Sequence, residues 1–492
     1  MDIVLRFINL NIEFILKQNY IFMNKHSANI YALLMVLSLM CFVFPAVFRN
    51  FLIYENASTY FLLNPKTVPN QYIDFGIYAI LIFVLFFSYY KFLNNFTLSK
   101  FEVICWCIVI ALFAVFMSST SFDLYDYIAQ GRLHAKYGLN PYLSTRASVA
   151  NWQNDALLNT SAWHVPSVYG PLWLMVSRLL SLCDGDSLLV NIFLYKFLFF
   201  LFHLINIVLI YKISKSLNYS IPTFIVSLYA FNPLIFMELI GNGHNDVMLL
   251  TFLFLSIYSI TLKKFFWVLP FLGLSICVKH ISVLLALPLF IWLLKYYKNK
   301  IFYLLLSSII TILEIVIFYS FYWRGPKIFD YLIFQQQKFS AASLHYFLTR
   351  FFQFPDTIEF LLIGIFVVLY LHVIISFSIK LKSDDISFVD LMKVCSTIFL
   401  LFYYFGLKWW QSWYISWVIP FALFLNPKDA ILRLTMLISF FSLIGSGLFL
   451  IWGYTIKFQY GFFLFSFVVS IFALFIFKKL YPKSNWKTIR IE

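Results

Sequence analysis

From residue 30 to residue 477 the chain runs through one apolar stretch after another, many near the ~20 residues that cross a bilayer as a helix. Hydrophobic residues make up 62% of the 492 and charged residues only 12%. A soluble domain carries about 25% charged residues, so this chain lacks the polar surface to coat a water-soluble globule. An ordinary cytosolic enzyme, a disordered chain and a secreted module are excluded. The fold class expected is an all-α integral membrane protein of about 12–14 transmembrane helices, with long outer-face loops carrying interfacial helices. The stretch 265–294 is too long for one straight helix and holds Pro270, Gly273, Lys279 and Pro288. It reads as two short helices, or a re-entrant pair, meeting near Lys279–His280.

The chain's net charge of +15 would point to nucleic acid in a soluble protein; here membrane orientation explains it. With the N-terminus inside, the inner turns carry Lys91 with Lys100, Lys212 with Lys215, Lys263 with Lys264, Lys380 with Lys382, and Lys428 with Arg433. Both termini are then expected in the cytoplasm. The divisions expected are a cytoplasmic segment 1–29, a transmembrane region 30–425 with outer loops 119–187 and 324–357, further membrane helices 426–477 and a cytoplasmic tail 478–492. The polar residues that are not topology signals gather on the outer face, around 238–246, 406–411 and Lys279. Sequons at Asn56, Asn95, Asn159 and Asn218 fall on both faces and decide nothing. Most cysteines sit in apolar runs, where they act as small hydrophobes; no disulfide framework or Cys-based metal site is indicated. No cleavable signal is expected at the N-terminus.

The segment after the third apolar run is Ser121-Phe-Asp-Leu-Tyr-Asp-Tyr-Ile-Ala-Gln-Gly-Arg-Leu-His-Ala-Lys-Tyr-Gly. Ser121 suits an N-cap, Asp123 and Asp126 the first turn, and Gly138 the C′ position, which predicts a helix of about four turns at the outer interface. Asp123, Tyr127, Gln130 and His134 share one polar stripe at helical spacing, with Tyr125 on another side. Two readings stand open on these residues alone: acids that stabilise a helix start, or a polar cluster at the membrane edge retained for function.

Asp123-x-Tyr125-x-Tyr127, then Gly131-Arg132, then Tyr137-Gly-x-Asn-Pro-Tyr142 resembles the first outer loop of multispanning GT-C glycosyltransferases. The nearest likeness is to polyprenol-phosphate-mannose-dependent mannosyltransferases of the mycobacterial α-1,6-mannan type and their uncharacterised relatives. In order along the chain, Val168-Tyr-Gly-Pro-Leu-Trp173, then Asn232-Pro and Gly241-Asn-Gly-His-Asn-Asp246, then Trp413-Tyr with Trp417 and Pro420 are similar to further elements of that family. The resemblance covers about residues 100–425. It implies transfer of a sugar, mannose first among hexoses, from a polyprenyl-phosphate donor to a glycan or glycolipid hydroxyl on the outer face, with inversion. It also implies Asp123 as the catalytic carboxylate, acting as general base, with Asp126 second. The chemistry agrees: phosphate is already a good leaving group, so one carboxylate acting as base suffices, where glycosidases need two.

The donor phosphate needs cations. Lys279, alone among lysines in its apolar run and at its outer end, is the best argued; Arg132, His280 and His244 are further candidates. Headgroup contact is the other reading of Arg132, and snorkelling that of Lys279. Tyr125, Tyr127, Tyr169, Trp173, Asn245, Asp246, Trp413 and Tyr414 are candidate substrate-binding residues, Asp246 being equally suited to starting a helix and the Trp cluster to a membrane aromatic belt. No cofactor is expected: a divalent metal at His244 and Asp246 with Asp123 would have only one His and scattered acids. The partners expected are the lipid-linked donor, the acceptor and the bilayer, with no nucleic acid. The location expected is a bacterial plasma membrane, the endoplasmic reticulum being the alternative. The rival function is a transporter or flippase for a lipid-linked sugar. Such a protein would tend to carry broken segments in paired repeats near the bilayer midplane, and here there is one broken segment. An O-antigen polymerase or ligase would want an Arg-rich outer loop.

Overall fold

The computed structural model describes residues 25–53, 71–117, 119, 121–160, 165–183, 185–297, 301–338, 340–352, 354–382, 386–448 and 456–472. The N-terminal stretch before residue 25, the tail at 478–492, the sequon at Asn56 and Ser161 of the second outer sequon lie outside the described residues. Every principal element described is helical.

In chain order the helices that position the site are α1 (Lys25–Ile53), α2 (Gln71–Asn94), α3 (Lys100–Val115), α4 (Asp123–Tyr137), α5 (Pro171–Ser181), α6 (Leu188–Ser216), α7 (Pro222–Ala230), α8 (Asp246–Thr261), α9 (Val268–Val278), α10 (Ala286–Tyr296), α11 (Ile301–Ser320), α12 (Leu344–Phe351), α13 (Pro355–Lys382), α14 (Phe388–Leu401) and α15 (Ala430–Gly447). Among the described residues six helices are long and apolar enough to cross a membrane, and a seventh crossing is formed if α7 and the π-helical Ile235–Gly241, bent by 58°, make one span. Shorter apolar helices accompany them, including Asp246–Thr261, Phe265–Val278 and His280–Tyr296. The protein is an all-α integral membrane protein. On α11 and α13, Ile312, Val316, Phe360 and Val368 stand exposed, an arrangement that water penalises and lipid tails accept.

Local sequence explains the ends of these helices. Ser99 caps α3, accepting from the Glu102 amide while the Glu102 carboxylate accepts from the Ser99 N–H at 2.8 Å. Proline at the first position opens α5 and α7. Gly138 ends α4 at φ 63°, its N–H donating to the Leu133 carbonyl, as its sequence position predicts. The start of α4 differs by one residue from the expectation: Phe122 occupies the N-cap position, and Ser121 Oγ instead accepts from the Asp123 N–H at 3.2 Å. The break predicted near Lys279–His280 is present. There Lys279 turns extended (φ −154°, ψ 127°) between α9 and the 3₁₀ segment His280–Leu285.

The helix α4 does not lie open on the outer surface. Leu124, Tyr127 and Ile128 are fully buried, and α4 packs along α5 so closely that a Cβ on Gly131 would meet the Ser177 carbonyl oxygen at 2.4 Å. The segment expected as an outer loop therefore folds into the body of the protein, and the predicted polar stripe faces inward. Two further loop segments pair with each other: the Ala341 N–H donates to the Lys408 carbonyl and the Trp410 N–H to the Ala341 carbonyl, both at 2.9 Å.

Candidate active site

Three elements distant in sequence meet at the N-terminus of α4. The first is α4 itself, which carries Asp123. The second is the turn 242–245 between the π-helical Ile235–Gly241 and α8, which carries His244. The third is the late 3₁₀ segment Ser412–Trp417. His244 Nδ1 stands 3.3 Å from Asp123 Oδ2, and its Nε2 stands 3.5 Å from Glu238 Oε2. Trp413 covers the imidazole face, ring centroids 3.6 Å apart at 19°. Glu238 is held in turn by Ser412 Oγ at 2.6 Å and Asn242 Nδ2 at 2.8 Å.

Exposure separates these groups. The side chain of Asp123 is 22% exposed, against 3% for Glu238 and none for His244. Asp123 is thus the carboxylate of this set that an incoming molecule can reach. Burial pushes its carboxyl up. The His244 hydrogen bond, the charges of His244 and Lys279 and the Tyr169 hydroxyl more than offset that, leaving it below the usual carboxylate range. The His244 imidazole moves the other way: burial favours its neutral form, and Asp123 and Glu238 outweigh burial and raise it.

The same opening has a second charged pair. Lys279 Nζ donates to both carboxylate oxygens of Asp246, at 3.0 and 3.1 Å, and Trp417 Nε1 donates to Asp246 Oδ1. The ammonium also lies 4.9 Å from the Tyr414 ring centroid and 5.3 Å from that of Trp417, within cation–π range. The break in α9 that exposes Lys279 is pinned by the Tyr169 loop. Gly170 N–H donates to the Val278 carbonyl at 3.0 Å, and a Cβ at Gly170 would stand 2.1 Å from the Cys277 carbonyl oxygen. Only glycine permits that approach.

Residues 76–296 match the family described as the N-terminal domain of α-(1→6)-mannopyranosyltransferases. Over 187 residues the chain is 23% identical to α-(1→6)-mannopyranosyltransferase A of Corynebacterium glutamicum, covering 38% of this chain and 37% of that one. Over 133 residues it is 31% identical to an α-(1→6)-mannopyranosyltransferase of Mycobacterium tuberculosis, covering 26% of this chain and 22% of that one. This chain resembles mannosyltransferases of the GT-C type. The alignments span well under half the length of either relative. The matched stretch contains Asp123, Glu238, His244, Asp246 and Lys279, while the covering tryptophans lie beyond it.

The remaining sequence candidates are placed as follows. Tyr127 is buried in α4, its hydroxyl 3.5 Å from Asp123 Oδ2 and 3.5 Å from the Asn245 N–H, with Tyr169 and Trp173 edge-on to its ring at 4.8 Å. Trp173 is fully buried behind Tyr127, so it supports that ring rather than lining an opening. Asn245 is fully buried, and its side-chain amide meets no hydrogen-bond partner among the described residues. Tyr125 is partly buried against the core and Asp126 is buried. Arg132 is not turned toward Asp123: nine residues further along α4, about 13 Å at helical rise, it bonds Asp155 at 2.9 Å and also Asp186. His280 bonds the Tyr319 hydroxyl, and His244, expected as a phosphate ligand, has both ring nitrogens facing carboxylates. The Trp cluster is not a lipid-facing belt: Trp410, Trp413 and Trp417 are all buried. Among the described residues no group of three or more His, Cys, Asp or Glu is arranged to hold a metal ion.

Sequence reasoning gave Glu238 no role. A signal existed, since it is the one acid in the apolar run 221–240, and an ionisable residue in such a run is a site candidate. Ser412 carried no signal at all, because its role depends on a partner 174 positions away.

Proposed function

We propose that the protein is an inverting hexosyltransferase, with mannose as the sugar, acting on a polyprenyl-phosphate-linked donor at the outer face of a bacterial plasma membrane. Asp123 is the base. It takes the proton of the acceptor hydroxyl as that oxygen bonds to the anomeric carbon. The bond from that carbon to the phosphate oxygen breaks, and its electron pair leaves with the polyprenyl phosphate. A single displacement of this kind inverts the anomeric centre. The proton then passes to water through the exposed side of Asp123.

The observation that carries this reading is the contrast between the partly exposed, ionised Asp123 and the buried charges fixed around it. A base kept in its ionised form by neighbouring donors is ready at neutral pH, and the phosphate leaving group asks for no acid. Lys279 is the best-placed cation for the donor phosphate: it gives two hydrogen bonds to Asp246, and an ammonium has three donors. Asn245, with an unpartnered buried amide beside Tyr127, suits an incoming sugar hydroxyl. The relatives' names supply mannose as the sugar.

The test is transfer of labelled mannose from synthetic polyprenyl-phosphate-mannose by membranes carrying wild type or Asp123→Asn. Transfer by wild type that falls at least 10²-fold in the variant at equal expression supports the class and the base together, since general bases contribute about 10²–10⁴-fold. Transfer that survives would move the base, Asp126 being next. No transfer from mannose, glucose or arabinose donors by folded protein would favour a flippase.

A further inference from the structure

The mechanism above uses the partly exposed Asp123 and leaves the buried carboxylate on the far side of His244 without a task. Glu238 sits in the π-helical turn Ile235–Gly241, within an otherwise apolar run, with its side chain 3% exposed. A buried carboxylate in such surroundings is costly unless its charge is used or matched, and π-helical turns inside helices often mark functional positions. Its surroundings hold it fixed. Ser412 Oγ donates to Oε1 at 2.6 Å and Asn242 Nδ2 to Oε2 at 2.8 Å, so both oxygens act as acceptors. Oε2 also faces His244 Nε2 at 3.5 Å, on the opposite side of the ring from Asp123. Trp413 stacked over the imidazole prevents the ring from turning away from this line.

We propose that Glu238 is a positioning residue of the transfer reaction: it holds His244 with a proton on both ring nitrogens, which places a fixed positive charge beside Asp123. This rests on the reading of Asp123 as base. A neutral imidazole has one N–H, and two carboxylates compete for it. If Glu238 takes that hydrogen, Asp123 faces a nitrogen lone pair. With both nitrogens protonated, His244 presents an N–H to Asp123 and its charge to Glu238 at 3.5 Å, orients Asp123 Oδ2 and gives the anionic donor phosphate a cation near the base. The ring is therefore an electrostatic partner of the phosphate, with no hydrogen bond left over to make to it. The other titratable groups around this pair are Tyr127 and Tyr169, which face Asp123, Lys279 and Asp246 from across the opening, and Tyr78 of α2, which faces Glu238. Of these, Lys279 and Asp246 are paired with each other.

The experiment is the pH profile of kcat/KM for mannosyl transfer by full-length wild type, Glu238→Gln and Ser412→Ala, with Asp123→Asn as a control. Glu238→Gln keeps the shape of the side chain and removes its charge. The alkaline limb of the profile, set by loss of the His244 proton, is expected to move down by one unit or more. At a pH above both limbs this is a loss of tenfold or more, recovered at lower pH. Ser412→Ala keeps the carboxylate but frees one of its oxygens, so a smaller shift in the same direction is expected. A merely structural Glu238 would lower the rate equally at every pH. An unmoved alkaline limb in Glu238→Gln protein that elutes and melts as wild type overturns the proposal. Should Glu238→Gln fail to fold, an unmoved limb in Ser412→Ala does so. If Asp123→Asn retains transfer, the base assignment fails whatever Glu238 does. If Asp123→Asn is inactive while both other profiles match wild type, only this inference falls.

Discussion

Lys279 and Asp246 join the break between α9 and the 3₁₀ segment to the first residue of α8, the ammonium donating to both carboxylate oxygens at 3.0 and 3.1 Å. Asp246 is wholly buried and Lys279 keeps 15% of its side chain exposed. The pair therefore has one sealed end and one open end, and the open end is the cation. The pair matches a buried charge, and under the proposed function it also offers a cation to an anionic substrate.

The two tasks can be separated by mutation. Lys279→Met leaves Asp246 buried without its counter-ion, and breaking such a pair costs about 3–5 kcal/mol. The thermal midpoint in detergent should fall sharply. In Lys279→Met with Asp246→Asn the charge mismatch is gone and the midpoint should recover most of the loss. Transfer should not recover, because the donor phosphate still lacks its cation. A double variant with both wild-type stability and a wild-type KM for the donor would assign the pair to folding alone.

With Asp123 as the proposed base, the acid side of the pH profile belongs to it. Its carboxyl lies below the usual carboxylate range, so the base stays ionised from neutral pH down through that range, and transfer should be flat there. His244→Gln removes the hydrogen bond and charge that oppose burial. The sign follows: with Lys279 and the Tyr169 hydroxyl left to oppose burial alone, the carboxyl rises, and the acid limb of kcat/KM moves toward neutral pH by about one unit or more. An acid limb that stays in place in this variant would mean that His244 does not set the ionisation of Asp123.

What the sequence made legible was chemistry carried by single residues and by near neighbours. The Gly138 cap and the break at Lys279 could each be read from spacing within one segment, because αL geometry and an isolated lysine between prolines are local signals, whereas the role of Asp123 came only from the family resemblance. The all-α membrane architecture was legible for the same reason. What could not be read was which candidates share a partner. Arg132 and Lys279 look alike as cations, yet Arg132 is occupied by Asp155 and Asp186, 23 and 54 positions away. The tryptophans looked like a belt because an aromatic run near a polar loop suits an interface equally well. Only the fold turns Trp413 onto His244 and Trp417 onto Asp246.

Arg132 supplies a prediction of opposite character to Lys279. Its guanidinium and the Asp155 carboxylate are both buried, and Asp155 also accepts from the Tyr137 hydroxyl at 2.7 Å. Arg132→Ala should destabilise the outer loop by about 3 kcal/mol, the order found when one member of a buried pair is removed. Where protein survives, its KM for the donor should match wild type. A KM raised tenfold or more at unchanged thermal midpoint would instead return Arg132 to the donor phosphate.

The position of Asp123 depends on how closely α4 approaches α5, and Gly131 sets that distance. Replacing an interior helical glycine by alanine normally gains about 1 kcal/mol through helix propensity. Here the added Cβ would lie 2.4 Å from the Ser177 carbonyl oxygen, 2.9 Å from its carbon and 3.1 Å from the Tyr195 hydroxyl. Backbone cannot yield as a flexible side chain can, so the helices must separate, at a cost of about 1–3 kcal/mol that exceeds the propensity gain. Gly131→Ala is therefore expected to lower the thermal midpoint. Because Tyr127 and Asp123 ride on the same helix, transfer should fall further than stability does. A misplacement of about 1 Å can cost on the order of 10²-fold in rate. An alanine variant as stable and as active as wild type would show that α4 can withdraw from α5 without disturbing the base.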